Sequence, residues 1–588
     1  MDWQYELITA VFWLFKAFFW VAVVLSVAVW ALKFTPFGKK FWHIAKPCLS
    51  RANTAKALVM IGLLIFFVLL EVKISVLNTQ FYNKLYSSLQ DMDAQAFWFF
   101  ALLNASLMMF KVAQDVVDRF VGEAFEIKWW ERFNAVLLDR YLSHKNYYRL
   151  KHTHDLRTPD NIDQRIEQDA KEFITITVEM VRGVINAVMS IIEFTIILWG
   201  LSGILSVFGV SVPKGVVFFI YGFIIVATAL SVWIGRPLIR LNFDKERLHG
   251  DYRYSLIRVA DNAESIAFYD GEHQEKRHLA GRFGAIIDNR WAIIRRLLGL
   301  DGFNTGVTQV AQLLPLMLQA PRFFAGEIKL GDMHQTVQSF NRLMRALSFF
   351  RLFYESFTLY QARLNRLYGF LTRLDVLDNT PLDKSTVKHD DNVLILKDFG
   401  IKTFDDKVLI DGINITLHAG QALLIQGTSG TGKTTLLKAM AGIYPFGTTG
   451  QAVMPTAKTL FLPQRPYMPQ GTLRDAICYP DIQANDDKIK AVMARCHLGK
   501  HIHALDVDSD WQVNLSPGEL QRVAFLRALL VRPSVVFLDE TTSALDEPTE
   551  TALYTTLRDE LPQAIIVSVG HRSTLLAFHD KRVVLGWG

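Results

Sequence analysis

Cysteine is nearly missing from this chain. The three that occur in 588 residues, Cys48, Cys478 and Cys496, have no metal-binding or redox spacing, which excludes a cysteine-built metal or redox centre and leaves them as small apolar fillers. Charge is also scarce: charged residues are 20% of the chain against 51% hydrophobic, and the shortage is uneven. It falls before about residue 360, in blocks long enough to cross a bilayer, while roughly the last 200 residues read as an ordinary soluble domain. No acidic residue occurs between Glu6 and Glu71, whereas Lys33, Lys39, Lys40, Lys46, Arg51 and Lys56 all lie there. The net charge is +6, yet no aromatic-plus-basic module accompanies it, so nucleic acid is excluded as a partner. The first apolar run has no basic segment before it and no small-residue exit site, so no cleavable secretory signal is expected.

The apolar runs themselves come next. Ile8–Leu32 carries one charge, Lys16, and either spans once or lies along the interface. The basic stretch after it is expected in the cytoplasm, because basic loops stay on that side. Six further spans are expected at Ala57–Val76, Ala96–Val117, Val178–Ser202, Val216–Ile234, Phe303–Phe324 and Met333–Phe357. Counting from inside, this parity leaves Asp118–Thr175 and Arg236–Arg296 in the cytoplasm, and the last pair also ends there. Both inner segments are polar with apolar residues at helical spacing, which predicts helices prolonging the spans, with a turn around Arg157–Asn161. The expected organisation is residues 1–56 as an additional helix and basic linker, 57–378 as a six-helix transmembrane bundle, 379–391 as a linker, and 392–588 as an α/β phosphate-loop domain. Glu193 lies inside a span and must face the bundle or a wet cavity, either contacting substrate or a coupled proton or, as the preferred reading, pairing with a basic group on a neighbouring helix or with Arg182 on its own. Glu71 and Lys73, near a span end, are expected to reach the interface.

The C-terminal domain carries the chemistry. A buried strand, Ala422–Gln426, runs into Gly427-Thr428-Ser429-Gly430-Thr431-Gly432-Lys433-Thr434, followed by Thr435 and a helix. Strand, glycine-rich loop and helix in that order form a phosphate cradle: backbone N–H groups curl around the anion and the helix points its positive end at it. Lys433 is expected on the β- and γ-phosphates of ATP, and the Thr434 hydroxyl on Mg2+. The apolar strand Val535–Leu538 ends in Asp539 and Glu540, the first placed to complete the Mg2+ environment and the second to polarise attacking water. Gln464, after another strand, is a candidate for touching metal or water; His571, after Ala564–Val569, is a candidate γ-phosphate donor.

In Leu515-Ser516-Pro517-Gly518-Glu519, Ser516 suits an N-cap, Pro517 the first helical position, and Glu519 the third position of a capping box. The same helix start, through Ser516 and the N–H of Gly518, can also grip a γ-phosphate. With one phosphate loop and one such turn per chain, mutual completion would require two chains sandwiching two ATPs.

Together with Ser543-Ala544-Leu545-Asp546, these motifs resemble an ABC transporter of the exporter fold with its ATPase domain C-terminal. Asn78–Tyr82, Trp130–Arg132, Asn146–Leu150, Asn161–Ile166 and Glu264–Glu272 are similar to the peroxisomal fatty-acyl transporter subfamily and its bacterial relatives, including the SbmA/BacA-like group. The resemblance implies a homodimeric ATP hydrolase in a bacterial inner membrane, with membrane lipid and a transported solute as partners. By family likeness the cargo is a bulky hydrophilic solute, cobalamin-like or peptide, imported; the alternatives are a lipid or fatty-acyl conjugate, or an ATP-gated channel. It also implies that Ser543–Asp546 crosses the dimer interface and that an aromatic ahead of the phosphate loop, Phe404 by position, stacks on adenine. One departure is plain: the family's Leu-Ser-Gly-Gly-Gln reads Leu-Ser-Pro-Gly-Glu here.

Overall fold

The computed structural model describes residues 3–48, 51–152, 162–202, 204–207, 210–379, 386–389, 392–403, 407–456 and 458–586. The expected turn at 157–161 and Phe404 lie outside the described residues. The chain forms two compact units, Met1–Arg140 with Pro159–Thr372, and Tyr141–Thr158 with Arg373–Gly588.

The first unit is helical apart from an antiparallel hairpin of β1 (Ile204–Val207) and β2 (Val210–Pro213). Its elements are α1 (Trp3–Leu32), α2 (Pro36–Ala45), α3 (Arg51–Gln90), α4 (Ala94–Leu142), α6 (Ala170–Leu201), α7 (Gly215–Asp261), α8 (Glu272–Phe324) and α9 (Leu330–Asp378), with α5 (Asn146–His152) belonging to the second unit. Among the described residues five helices are long and apolar enough to cross a membrane: α1, α3, α4, α6 and α7. The two remaining expected spans fall within α8 and α9, which are long helices but more polar. Asn304, Gln312, Gln319, Gln335, Arg342 and Arg345 interrupt their apolar stretches. At 1.5 Å per residue α4 extends on the order of 70 Å, more than twice the hydrocarbon thickness. The spans therefore continue as helices beyond the bilayer.

Small residues let α1 approach α3 closely. Ala10 packs with Leu77 and Phe81, and Ala17 with Ile65, Val68 and Leu69, so the two helices run antiparallel. Several polar groups within the bundle are engaged with partners on other helices. Trp13 Nε1 donates to Glu193 Oε1 at 2.9 Å, and Lys73 Nζ stands 5.0 Å from the same indole. Arg182 pairs with Asp118 instead of Glu193. Eleven positions along a helix is about 16 Å, too far for one side chain to span. Glu71 and Lys73 do not run out to the interface: Asn186 Nδ2 donates to Glu71 Oε2 at 3.0 Å, and both residues are half-buried.

Besides a short antiparallel pairing of Gly471–Thr472 with Asp508–Ser509, the described residues of the second unit form two larger sheets. A mixed sheet has the order β3 (Thr386–His389), β7 (Thr448–Pro455), β4 (Val393–Lys402), β5 (Val408–His418). Its edge strand β3 lies in the stretch expected to be a linker, paired in parallel with β7. The other sheet is parallel throughout, in the order β11 (Lys581–Leu585), β6 (Ala422–Gly427), β10 (Ile565–Val569), β9 (Val535–Asp539), β8 (Thr459–Leu462). Every residue of β9 and β10 is buried, the condition for the unbroken apolar runs that their sequences show. Helix α11 (Pro517–Val531) packs in the same core, where Cys496 is fully buried and its thiol is pushed up to about 12. Burial of that kind makes a thiol an apolar filler rather than a nucleophile.

Candidate functional site

The site grows from the C-terminal ends of β6, β9, β10 and β8, where an open parallel sheet places its loops. After β6 the chain turns through Gly430 (φ 88) and Gly432 (φ 84), conformations that favour glycine, before α10 (Lys433–Met440) begins. Thr428 and Ser429 precede Gly430 and Thr431 lies between the two glycines, its Oγ1 donating back to Thr428 O at 2.9 Å. The Lys433 ammonium is buried inside the loop, donating to the carbonyls of Gly427 (3.0 Å) and Thr428 (2.8 Å). Thr435 follows in the first turn of α10.

Thr434 and Asp539 meet across two strands: Thr434 Oγ1 donates to Asp539 Oδ1 at 2.8 Å. Burial raises the Asp539 carboxyl, opposed by that hydrogen bond. A hydroxyl and one carboxylate are hard oxygen donors. Among the described residues no group of three or more His, Cys, Asp or Glu can hold a metal by itself. That set fits Mg2+, which is commonly held by one or two protein oxygens with phosphate and water supplying the rest.

Glu540 is the centre of a second group. Gln464 Nε2 donates to its Oε2 at 3.1 Å, and His571 Nε2 stands 3.4 Å from Oε1. Two residues from separate loops thus converge on the carboxylate of a third. The backbone of Glu540 has φ 47, a left-handed conformation costly for a glutamate, and its N–H is held by Val569 O at 3.1 Å. Such strain persists only where the surroundings over-determine it. A carboxylate held rigidly between an amide donor and an imidazole can orient and deprotonate a water molecule.

Ser516 caps α11 as its spacing predicts. Its Oγ donates to Glu519 Oε2 at 2.8 Å, its N–H donates to the same atom at 2.9 Å, and Pro517 occupies the first helical position. Glu519 is buried, with Lys500 Nζ at 2.6 Å and His501 Nε2 at 2.8 Å. Burial alone would raise its carboxyl. The bonds from Lys500, His501 and Ser516 reverse this and hold it well below the usual carboxylate range. At Gly518 a Cβ would stand 3.2 Å from Ala544 O, so the helix start lies close against the Ser543–Asp546 segment.

Two residues that sequence reasoning did not single out join these parts. Gln521, one turn into α11, donates to Gln464 O (3.4 Å) and Ser543 Oγ (3.1 Å) and accepts from the N–H of Ala544 (3.0 Å). Glu550 is buried in α12 (Glu547–Glu560) and accepts from Thr542 Oγ1 (2.5 Å) and Thr574 Oγ1 (2.7 Å), with Arg572 at 3.5 Å. It ties the segment after Glu540 to the segment after His571. Gln521 lies two residues beyond the Leu515–Glu519 motif, but its partners are distant in sequence and no local signal reports them.

Comparison with known proteins agrees with this geometry. Residues 44–324 match the family model described as ABC transporter transmembrane region 2, and residues 410–543 match the ABC transporter model. An ABC transporter ATP-binding protein of Haemophilus influenzae is 62% identical over 588 residues, 100% of this chain and 99% of that protein. The inner membrane ABC transporter ATP-binding protein YddA of Escherichia coli is 29% identical, covering 91% of this chain and 95% of its own length. The human lysosomal cobalamin transporter ABCD4 is 27% identical, covering 92% and 94%. The chain belongs to the ABC transporter family, an ATP-hydrolysing translocase with a membrane-embedded helical domain fused to a C-terminal nucleotide-binding domain.

Proposed function

We propose that two copies of this chain act together in a bacterial inner membrane, each phosphate loop sharing its ATP with the Ser516–Gly518 helix start of the other copy. The observation that carries the catalytic part is the convergence of Gln464 and His571 on Glu540, next to the Thr434–Asp539 pair. In this reading Lys433 and the N–H groups of Gly427–Thr434 bind the phosphates. Thr434, Asp539 and Gln464 hold Mg2+, whose role is to draw charge off the transferring phosphoryl group. Glu540 takes a proton from water, and His571 donates to the γ-phosphate. Tyr141–Thr158 belongs to the same compact unit as the ATPase fold, with Arg149 Nη1 donating to Leu377 O at 2.6 Å. That favours α5 as the piece through which nucleotide closure pulls on α4.

For the cargo, the reading with most support is an acyl-bearing amphiphile such as a fatty-acyl conjugate. It rests on the likeness to the peroxisomal subfamily rather than to the SbmA/BacA-like group, and on the contrast between apolar spans and the polar α8 and α9. A molecule with a polar head and an apolar tail suits both surfaces. A hydrophilic, cobalamin-like cargo is the second reading, favoured by the name of the human relative. The test uses the purified full-length chain in proteoliposomes. Acyl-coenzyme A is expected to stimulate ATP hydrolysis and to move across the membrane with it, whereas cobalamin is not. Glu540→Gln is expected to lower turnover by about three orders of magnitude while ATP still binds. Rapid hydrolysis by that variant refutes the role of Glu540, and stimulation by cobalamin alone refutes the acyl reading.

A further inference from the structure

A cavity of about 390 Å3 lies among α2, α3 and α4, remote in sequence from every nucleotide-site residue. We infer that it holds an anionic phospholipid of the cytoplasmic leaflet, its acyl region against the apolar wall and its phosphate against Lys56, Lys128 and Arg132. The site is independent of the cargo reading, because its occupant is resident and not transported.

Helical spacing builds the wall. On α4, Phe125, Lys128, Trp129 and Arg132 recur at the three- and four-residue intervals that share one helix face. On α3, Lys56, Ala57, Met60 and Ile61 do the same. The third side is α2, a short amphipathic helix capped by Thr35, which contributes Phe41 and Trp42. Phe125 lies tilted against Trp129 with ring centroids 5.7 Å apart, and Met60 and Trp129 join the buried cluster of Leu64, Phe125 and Val178. The inner wall is thus apolar and firmly packed, and the volume falls in the usual range for a small-molecule site.

The rim has the opposite character. Lys56 and Lys128 are exposed and Arg132 is half-buried. None of the three is ion-paired to a carboxylate among the described residues, and Glu131 is the one acidic residue on the lining. A fourth cation, Lys33, sits 4.0 Å over the Trp42 ring. Two of them, Lys33 and Lys56, lie within the stretch from Glu6 to Glu71 that contains no acid. Cations gathered at a cytoplasmic membrane surface, beside an interfacial tryptophan and over an apolar hole, match an anionic headgroup joined to acyl chains. A zwitterionic lipid offers the same chains but no net charge.

The test uses full-length protein in phosphatidylcholine nanodiscs doped with photoactivatable phosphatidylglycerol or, separately, photoactivatable phosphatidylcholine. The anionic probe is expected to label the peptides of α2, α3 and α4, and unlabelled phosphatidylglycerol to compete. Lys128→Gln with Arg132→Gln is expected to cut that labelling roughly tenfold or more, from about fivefold per basic residue. Ala57→Trp, which fills the cavity and leaves the rim charges in place, is expected to abolish it. Equal labelling by the two probes, unchanged labelling in the double variant, or undiminished labelling in Ala57→Trp overturns the proposal. So does labelling that is lost when ATP turnover begins, since the lipid would then be cargo.

Discussion

Glu519→Gln restores the residue that the family usually carries at the end of this motif, and it is expected to weaken the ATPase domain of this chain. The carboxylate is buried and takes donors from Lys500, His501 and the Ser516 N–H and hydroxyl, all within 2.9 Å. A glutamine can keep the bond to the Ser516 N–H but not the charge. Hydrogen bonds to charged groups contribute about 1.5–3 kcal/mol, and two-thirds exposure of Lys500 screens part of that, leaving a cost of about 1–2 kcal/mol. For a domain of this size that lowers Tm by about 2–8 °C. The sign of the pH dependence follows from the direction of the shift. The folded pKa is depressed, so the stabilisation is fully present above the ordinary value of 4.5 and is lost as pH falls below it towards the folded pKa. Scanning calorimetry of full-length wild type and variant should show the widest Tm gap near neutrality and a narrowing gap in acid. ATP hydrolysis should survive, because Ser516 and Gly518 remain. No gap at neutral pH, or a gap that stays constant as pH falls below 4.5, would refute the assignment of Lys500 and His501 as the groups that hold this helix start.

Arg527→Leu removes a buried guanidinium that donates to Tyr467 O and Ala476 O, one that burial brings down to about 10. With both carbonyls left unpaired the expected cost is about 2–4 kcal/mol, read as a lower Tm and reduced membrane abundance. Gln521→Ala frees the Gln464 backbone from the Ser543–Ala544 segment. It should lower kcat roughly tenfold or more with nucleotide affinity unchanged, the pattern of a positioning residue measured by steady-state kinetics beside equilibrium binding.

What sequence could reveal tracks how local each feature is. The phosphate loop, the Asp539–Glu540 strand end and the Ser516 capping box are each set by residues within a few positions of one another, and the structure places all of them as their spacing implies. Glu71 and Lys73 differ from expectation because each meets a partner on another helix, Asn186 and the Trp13 indole, and of the two kinds of partner open to Glu193 the one on its own helix, Arg182, pairs with Asp118. The polarity of α8 and α9 was visible as Asn, Gln and Arg within apolar stretches. Its meaning depends on which face turns inward, and composition does not carry that. β3 shows the same limit, since a four-residue strand in a polar stretch exists only because β7 offers it an edge. The Glu540 site lies between these cases. Each member has its own short motif, but what makes them one device is Gln521 reaching back to the Gln464 loop and across to Ser543 and Ala544, with Glu550 bridging Thr542 to Thr574. Motifs therefore point to the groups proposed to react, whereas two unremarked side chains tie together the loops that carry them. Coupling should accordingly be more sensitive to Gln521 and Glu550 than nucleotide binding is.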